Sequence, residues 1–251
     1  MHSKCMFKAL GENFNICLAV TSSIDNRFIL KVYIDVGKKL TVIKMTNSLA
    51  QATYELSSES LQNMTLDLGQ LPNELTGFSL LRENILDNKT MAIHGFPGNT
   101  EERYDEAGRL TGYLREFASP SAVPQSEDGS DIVAATVVHL FKDQEYSEKW
   151  MTDTFVAQFR NNVGNEVGEN QILVAVEELE IDDFYDRSVG IRAVQSGEEG
   201  ILSTTVIDFK IGRLLGVSFV VTIGDHGRTE LTTMLGLELE RNIVRELLAT
   251  S

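Results

Sequence analysis

The clearest alternation of apolar and polar positions lies near the end of the chain. From Arg213 to Ile223 every second residue is a large apolar one, which predicts a strand with one buried face. Directly after it, apolar residues recur at a strict four-residue step, with Met234 and Leu248 widening the stripe. The members of this row are Leu231, Leu235, Leu239, Ile243 and Leu247. We therefore expect a closing helix that buries one face and exposes the other.

Further strand and helix patterns precede this pair. Runs rich in apolar and β-branched residues predict strands at residues 112–118, 132–141, 172–176, 188–194 and 201–209. The row formed by Met151, Phe155 and Phe159 predicts a second long helix from about Asp143 to Val163. Short links between strands require antiparallel neighbours. The predicted fold class is α+β, with an antiparallel sheet of five to seven strands packed by two main helices.

Charge divides the chain into a basic N-terminal part and an acidic remainder. Residues 1–44 carry seven Lys or Arg and three Asp or Glu, whereas the later residues carry 15 basic and 34 acidic ones. Alternation from Phe28 to Val36 and a turn at Gly37-Lys38 predict a β-hairpin in the basic part. We interpret residues 1–44 as an N-terminal extension, residues 45–107 as a lead-in with loops, and residues 108–251 as the main antiparallel α+β domain. Two alternatives stay open for the extension: an edge hairpin docked on the main sheet, or a loosely attached segment that results from a translation start upstream of Met45.

Composition excludes several classes of function. The 251 residues carry a formal net charge of −15, and nucleic-acid affinity depends on clustered Lys and Arg, so we expect no nucleic-acid partner. No apolar run approaches the roughly 20 residues that span a bilayer, which predicts no membrane span. The run Ile16–Val20 is too short for an export signal, and Cys5 and Cys17 exclude a disulfide framework through the fold. Composition leaves the cellular compartment open.

Candidate chemical groups are few and dispersed. His94, His139 and His226 have neither a cysteine nor a second histidine at ligand spacing, so no metal site is predicted. Asp225 and His226 precede the closing helix, where a helix N-terminal cap is favoured over an acid/base pair. The acidic run at residues 177–186 lacks the loop pattern of calcium sites and is interpreted as a solvated connection. The sequence therefore predicts no catalytic residue, no metal and no cofactor.

Short motifs at strand ends, turns and junctions carry a family resemblance. They are Leu71-Pro72, Gly77-Phe78, Gly108–Tyr113, Phe141–Asp143, Asp186–Ile191 and Asp208–Val217. In this order the chain resembles the PsbP-like α/β/α sandwiches, in particular exported bacterial proteins of LpqN type, over about residues 66–248. The resemblance implies a non-enzymatic binding or accessory domain outside the cytoplasm. The chain departs from that family in having no export signal or lipidated cysteine at the expected place.

Two functional classes follow from the sequence. A non-catalytic binding or accessory domain for an unknown protein or small-molecule ligand is favoured, because apolar patterns and turn residues account for nearly every distinctive position. The alternative is an enzyme, for example a hydrolase, with a site assembled from the dispersed residues His94, Asp225 and His226. A deep, closed pocket lined by two of these residues with Tyr113 or Arg109 would favour the enzyme.

Overall fold

The computed structural model describes residues 15–22, 28–36, 39–44, 48–120, 128–168, 170–198 and 200–250, and the chain divides into two compact units. The first unit, residues 1–51, contains a three-stranded antiparallel sheet of β1 (Asn15–Ser22), β2 (Phe28–Val36) and β3 (Lys39–Lys44), in that order. The short helix α1 (Ser48–Ala52) follows. Cys5, the Gly37-Lys38 turn and Met45 lie outside the described residues. The interpretation of residues 1–44 as an extension stays a prediction.

The second unit, residues 52–251, is built on one antiparallel sheet of eight strands that curls into a half-barrel. The strands are β4 (Ser79–Ile85), β5 (Arg109–Ala118), β6 (Asp131–Phe141), β7 (Glu166–Gly168), β8 (Gln171–Leu179), β9 (Ser188–Gly197), β10 (Gly200–Ile211) and β11 (Leu214–Ile223). Their order across the sheet is β4-β5-β6-β11-β10-β9-β8-β7. The predicted five to seven strands are therefore wrong, because β4 and β7 add the two edges. Neither has a hydrophobic alternation to detect, since all seven residues of β4 are exposed and β7 has three residues.

The helices of the second unit differ greatly in length. They are α2 (Ser60–Met64), α3 (Asn88–His94), α4 (Glu101–Glu106), α5 (Gln144–Lys149), α6 (Val156–Asn161) and α7 (Thr229–Thr250), with short 3₁₀ turns at Thr53–Glu55, Leu68–Gln70 and Asn73–Leu75. Only α7, with 22 residues, is a long regular helix among them. The prediction of a sheet packed by two main helices, as in an α/β/α sandwich, is wrong for this reason.

The helix predicted at residues 143–163 is interrupted in its middle. A π-helical turn, Trp150–Phe155, separates α5 from α6. The Thr152 hydroxyl donates to the backbone carbonyls of Glu148 and Lys149, at 3.2 and 3.3 Å, and so competes with the regular backbone ladder at this point. Because a π turn takes in an extra residue, α6 is rotated relative to the phase that an unbroken helix would have.

The two faces of the sheet carry separate cores. Side chains alternate along β10, so Val206 and Asp208 point to one face and Ile207 to the other. Val206 belongs to a buried cluster that includes Trp150, Met151 and Phe155 from the interrupted helical segment, and we call this side the α5–α6 face. On the opposite side, Ser218 pairs with Ile207 and donates its hydroxyl to the Thr232 carbonyl of α7, so we call it the α7 face.

The apolar row of α7 is buried as the four-residue step predicted. Leu235, Leu239, Ile243 and Leu247 have no exposed surface, and Leu231 is buried as well. Met234 and Leu248, which were expected to widen the stripe, are exposed instead. The buried face of α7 is instead widened by Thr232 and Asn242, so two of its buried positions are polar.

Candidate functional site

An open concavity of about 510 Å³ lies where α6 passes beside the end of β8 and the start of β9. Its apolar lining residues, which we call its floor, come from both faces of the sheet: Val156 and Val189 from the α5–α6 face, and Leu179 and Ile181, which lie beside Gly190 on the α7 face. Its acidic rim carries Glu178, Glu180 and Asp182. We call this site the α6 concavity.

The shape of the α6 concavity depends on a close approach at Gly190. A Cβ atom at this position would lie 2.8 Å from Cγ1 of Ile181 and 3.1 Å from Cβ of Leu179, which is too close for ordinary packing. The absence of a side chain lets the chain that leaves β8 fold back over β9. Ser188 fixes the fold-back, because its hydroxyl donates to the Ile181 carbonyl at 2.7 Å. The apolar floor is thus built by local backbone geometry.

The charge around the concavity is negative. Glu178 forms an ion pair with Arg160 of α6. Within the described part of the chain, neither Glu180 nor Asp182 has an ion-pair partner. Three carboxylates against one guanidinium give the rim a field that attracts cations and repels anions.

A buried carboxyl group lies directly behind the floor. Asp208 of β10 is paired with Val189 of β9, so both side chains point to the α5–α6 face. Asp208 is 1% exposed, and its Oδ1 atom has no hydrogen-bond partner among the described residues. Burial raises the pKa of this carboxyl well above its ordinary value. Burial therefore favours the neutral, protonated form of Asp208.

A second buried polar cluster lies on the same face of the sheet, several strands away from Asp208, where β5 begins. Arg109 is 1% exposed and donates to Nδ1 of His139, to Oδ1 of Asn88 and to the Leu86 carbonyl. Asn88 in turn donates to Asp105 Oδ1 at 2.6 Å and to the Arg109 carbonyl at 2.9 Å. Burial and the nearby Arg109 guanidinium lower the pKa of His139 well below its ordinary value, and burial lowers the pKa of Arg109 to about 10. With its donors engaged inside the core, this cluster ties α3 to β5 and β6 and offers no open binding surface.

The structure does not bring the three dispersed candidates of the enzyme hypothesis together. His94 ends α3, whose Met91 packs on the α5–α6 face. His226 lies on the α7 face, where its backbone N–H donates to the Ser203 hydroxyl at 3.0 Å. Asp225 forms an ion pair with Arg192, and it lies too far from the start of α7 at Thr229 to cap that helix.

The acidic partner of His226 is Asp128, and not the adjacent Asp225. Its Nε2 atom lies 3.1 Å from Asp128 Oδ1, and the side chain is 38% exposed. The arrangement closes the turn between β11 and α7 against the start of β6. Among the described residues, no three or more His, Cys, Asp or Glu side chains are grouped so that they could hold a metal ion.

A smaller concavity of about 380 Å³ lies between residues 70–74 and α7. It is lined in part by Pro72, Met234 and Arg241. It lacks a buried charged group, since Arg241 itself is 68% exposed at the side chain. The α6 concavity is therefore the stronger candidate site.

Sequence reasoning missed the residues of the α6 concavity. Glu178, Glu180 and Asp182 were grouped in a solvated acidic connection, and Asp208 was assigned only to a strand. One signal was present: Asp208 stands two residues from Val206, on the inward side of an alternating strand, where a carboxyl group is unusual. The fold-back of Ile181 onto Gly190 has no signature in the sequence.

Comparisons with known proteins support the fold. No protein-family model matches the sequence, and no curated protein matches it. Among solved structures, the chain is similar to the extracellular domain of PknH from Mycobacterium tuberculosis, with a TM-score of 0.52 and 8% identity over 76% of this chain and 97% of that one. An uncharacterized protein of Mycobacterium smegmatis, the Rv0999 ortholog, matches with a TM-score of 0.35 and 9% identity over 78% of this chain and 95% of that one. At 8% identity the PknH similarity concerns the fold alone. None of the helices that the structure describes is long and apolar enough to cross a membrane.

Proposed function

We propose that the second unit is a non-catalytic binding domain that acts outside the cytoplasm, and that the α6 concavity is its small-molecule site. The observation that carries this proposal is the concavity itself, an apolar floor beside a few charged groups. Small-molecule sites are typically concave and mostly apolar, with a small number of polar groups that orient the ligand, and occupy roughly 300 to 1,000 Å³. The volume of about 510 Å³ falls in this range.

The location outside the cytoplasm is supported by fold similarity. The PknH domain is extracellular, and the structural match to this chain covers 97% of that domain. The resemblance of the strand and turn motifs to LpqN-type exported proteins supports the same location. Both observations rest on fold or on short motifs, so the ligand is inferred from the site and not from these proteins.

A binding role is favoured over catalysis by the arrangement of the reactive side chains. His94 and His226 lie on opposite faces of the sheet, and Asp225 is paired with Arg192. A general base needs to reach the proton that it removes, within about 3.2 Å or through one water molecule. Neither histidine lines the α6 concavity.

The test is a fragment screen on the full chain, read by methyl NMR. Ligands of the α6 concavity should shift the methyl signals of Val156, Ile181 and Val189 together. Val189→Phe should fill the floor and abolish these shifts. Val174→Phe is the matched control, because Val174 is an exposed residue of β8 outside the concavity and undergoes the same change.

Two results would contradict the proposal. If ligands from a chemically broad library shift other methyl groups and leave those three unchanged, the binding site lies elsewhere. If Val189→Phe and Val174→Phe affect binding equally, the floor is not the contact surface. Turnover of a bound ligand that depends on His94 or His226 would favour the enzyme instead.

A further inference from the structure

Asp208 is a buried carboxyl group whose Oδ1 atom has no hydrogen-bond partner among the described residues, so it is not explained by the packing of the fold. Its neighbours on the same face of β10 are Val206, which is part of the apolar cluster, and Lys210, which is already paired with Glu148 at 2.7 Å. Asp208 therefore has no positive partner in its own strand. A buried polar group without a hydrogen-bond partner destabilises the folded state, so its presence calls for a role other than stability. Buried ionisable groups next to a concavity are frequent at functional sites.

The position of Asp208 connects it to the α6 concavity. Val189, its direct cross-strand neighbour, lines the floor, and Val156 follows the π turn that covers the same face. Both valines are only partly buried and pack against the cluster that contains Val206. Asp208 itself does not line the concavity, so a ligand there would reach the carboxyl group only if these two side chains changed rotamer.

We propose that the α6 concavity binds an organic ammonium ion with an apolar body, and that Asp208 is the carboxylate that receives the ammonium group. The apolar body lies on the floor, the unpaired rim carboxylates Glu180 and Asp182 attract the cation from solvent, and the charge passes between Val156 and Val189 to Asp208. This inference rests on the proposed binding function and specifies its ligand class. A metal ion fits less well, because no metal-holding group of His, Cys, Asp and Glu is found in the described ranges.

Pairing with a cation changes the protonation of Asp208 in a balanced step. Before binding, the carboxyl group carries its proton in an apolar environment. When the ammonium ion arrives, the carboxylate forms a charge-assisted hydrogen bond with it, and the carboxyl proton passes to buffer. Binding should therefore release protons at any pH below the raised pKa of Asp208.

The experiment compares three probes of the same shape on the full chain: hexylammonium, hexanol and hexanoate. Methyl NMR of Val156 and Val189 measures their binding, and calorimetry in two buffers of different ionisation enthalpy counts the released protons. We expect hexylammonium to bind roughly tenfold or more tightly than hexanol, since a hydrogen bond to a charged group is lost in the alcohol. Hexanoate should not bind, because the rim repels it.

Two variants test whether the proton released on binding comes from Asp208. Asp208→Asn should weaken hexylammonium binding by roughly tenfold or more and abolish proton release. Asp153→Asn makes the same substitution at an exposed residue of the π turn that does not line the concavity, and it should change neither quantity. The proton count on the unaltered chain decides the question even if Asp208→Asn folds poorly.

Each other result overturns the inference. Equal binding of hexanol and hexylammonium would leave the concavity as a binding site and remove the ammonium specificity. Hexylammonium binding without proton release, or without an effect of Asp208→Asn, would exclude Asp208 as the counter-charge. Failure of all three probes to shift the Val156 and Val189 methyls would overturn the ligand class, while the fragment screen decides separately on the site itself.

Discussion

Asp208→Asn should make the protein more stable at neutral pH and leave it nearly unchanged in acid. In the folded chain, burial raises the pKa of Asp208 well above 3.8, the value expected for an exposed aspartate. In the unfolded chain the carboxyl loses its proton above about pH 4, whereas the folded chain keeps it. The unfolded state thus binds fewer protons than the folded state, and stability falls as pH rises from 3.8 through the raised pKa.

The size of the effect follows from proton linkage. One proton held only in the folded state lowers the free energy of unfolding by about 1.4 kcal/mol for each pH unit in this window. Asparagine has nearly the shape of a protonated aspartic acid and does not ionise. The free energy of unfolding of the variant should therefore lack this dependence on pH. Between pH 5 and 7 the difference between variant and parent should grow by up to about 2.7 kcal/mol. For a unit of this size, that corresponds to roughly 5 to 10 °C in the thermal midpoint.

The assay is urea unfolding of both chains at several pH values between 3.5 and 7.5, with Asp153→Asn as the matched control. Asp153 is exposed, so its substitution should give a difference that stays within about 0.5 kcal/mol at every pH. A difference for Asp208→Asn that does not depend on pH would refute the reasoning. It would mean that the pKa of Asp208 is not raised in the folded protein.

The remaining predictions concern packing and a second pH effect. Leu239→Ala should cost roughly 2 to 5 kcal/mol by chemical denaturation, because Leu239 is fully buried, whereas Arg241→Ala on the exposed side should stay within about 0.5 kcal/mol. His139 is buried with a lowered pKa, so the folded state resists its protonation; stability should fall as pH drops below 6.5, and His139→Gln should reduce that slope in acid titrations. Gly190→Ala should lower the thermal midpoint and shift the Ile181 methyl signal, because its Cβ would meet that side chain; an unchanged Ile181 signal would contradict the fold-back geometry.

Glu240, the residue after Leu239 in α7, is not a neutral surface position. Its Oε1 atom accepts a hydrogen bond from the Tyr185 backbone N–H at 2.9 Å, and burial raises the pKa of its carboxyl. For this reason Arg241 is the better exposed control for Leu239.

Local patterns determined the elements whose burial depends on their own periodicity. The helix row that contains Leu239 and the alternation from Arg213 to Ile223 are readable because one face of each element meets a core and the other does not. The antiparallel pairing also followed from the sequence, since the short link at Gly212 between β10 and β11 permits no crossover.

Tertiary structure alone decided the sheet edges, the interrupted helix and the site. β4 has no buried face, so it pairs through its backbone without a hydrophobic pattern. Asp208 and Val189 are distant in sequence and become neighbours only through strand register, which leaves the carboxyl group without a partner. Burial and pairing of this kind depend on which strands lie side by side, and periodicity within one strand carries no information about its neighbours.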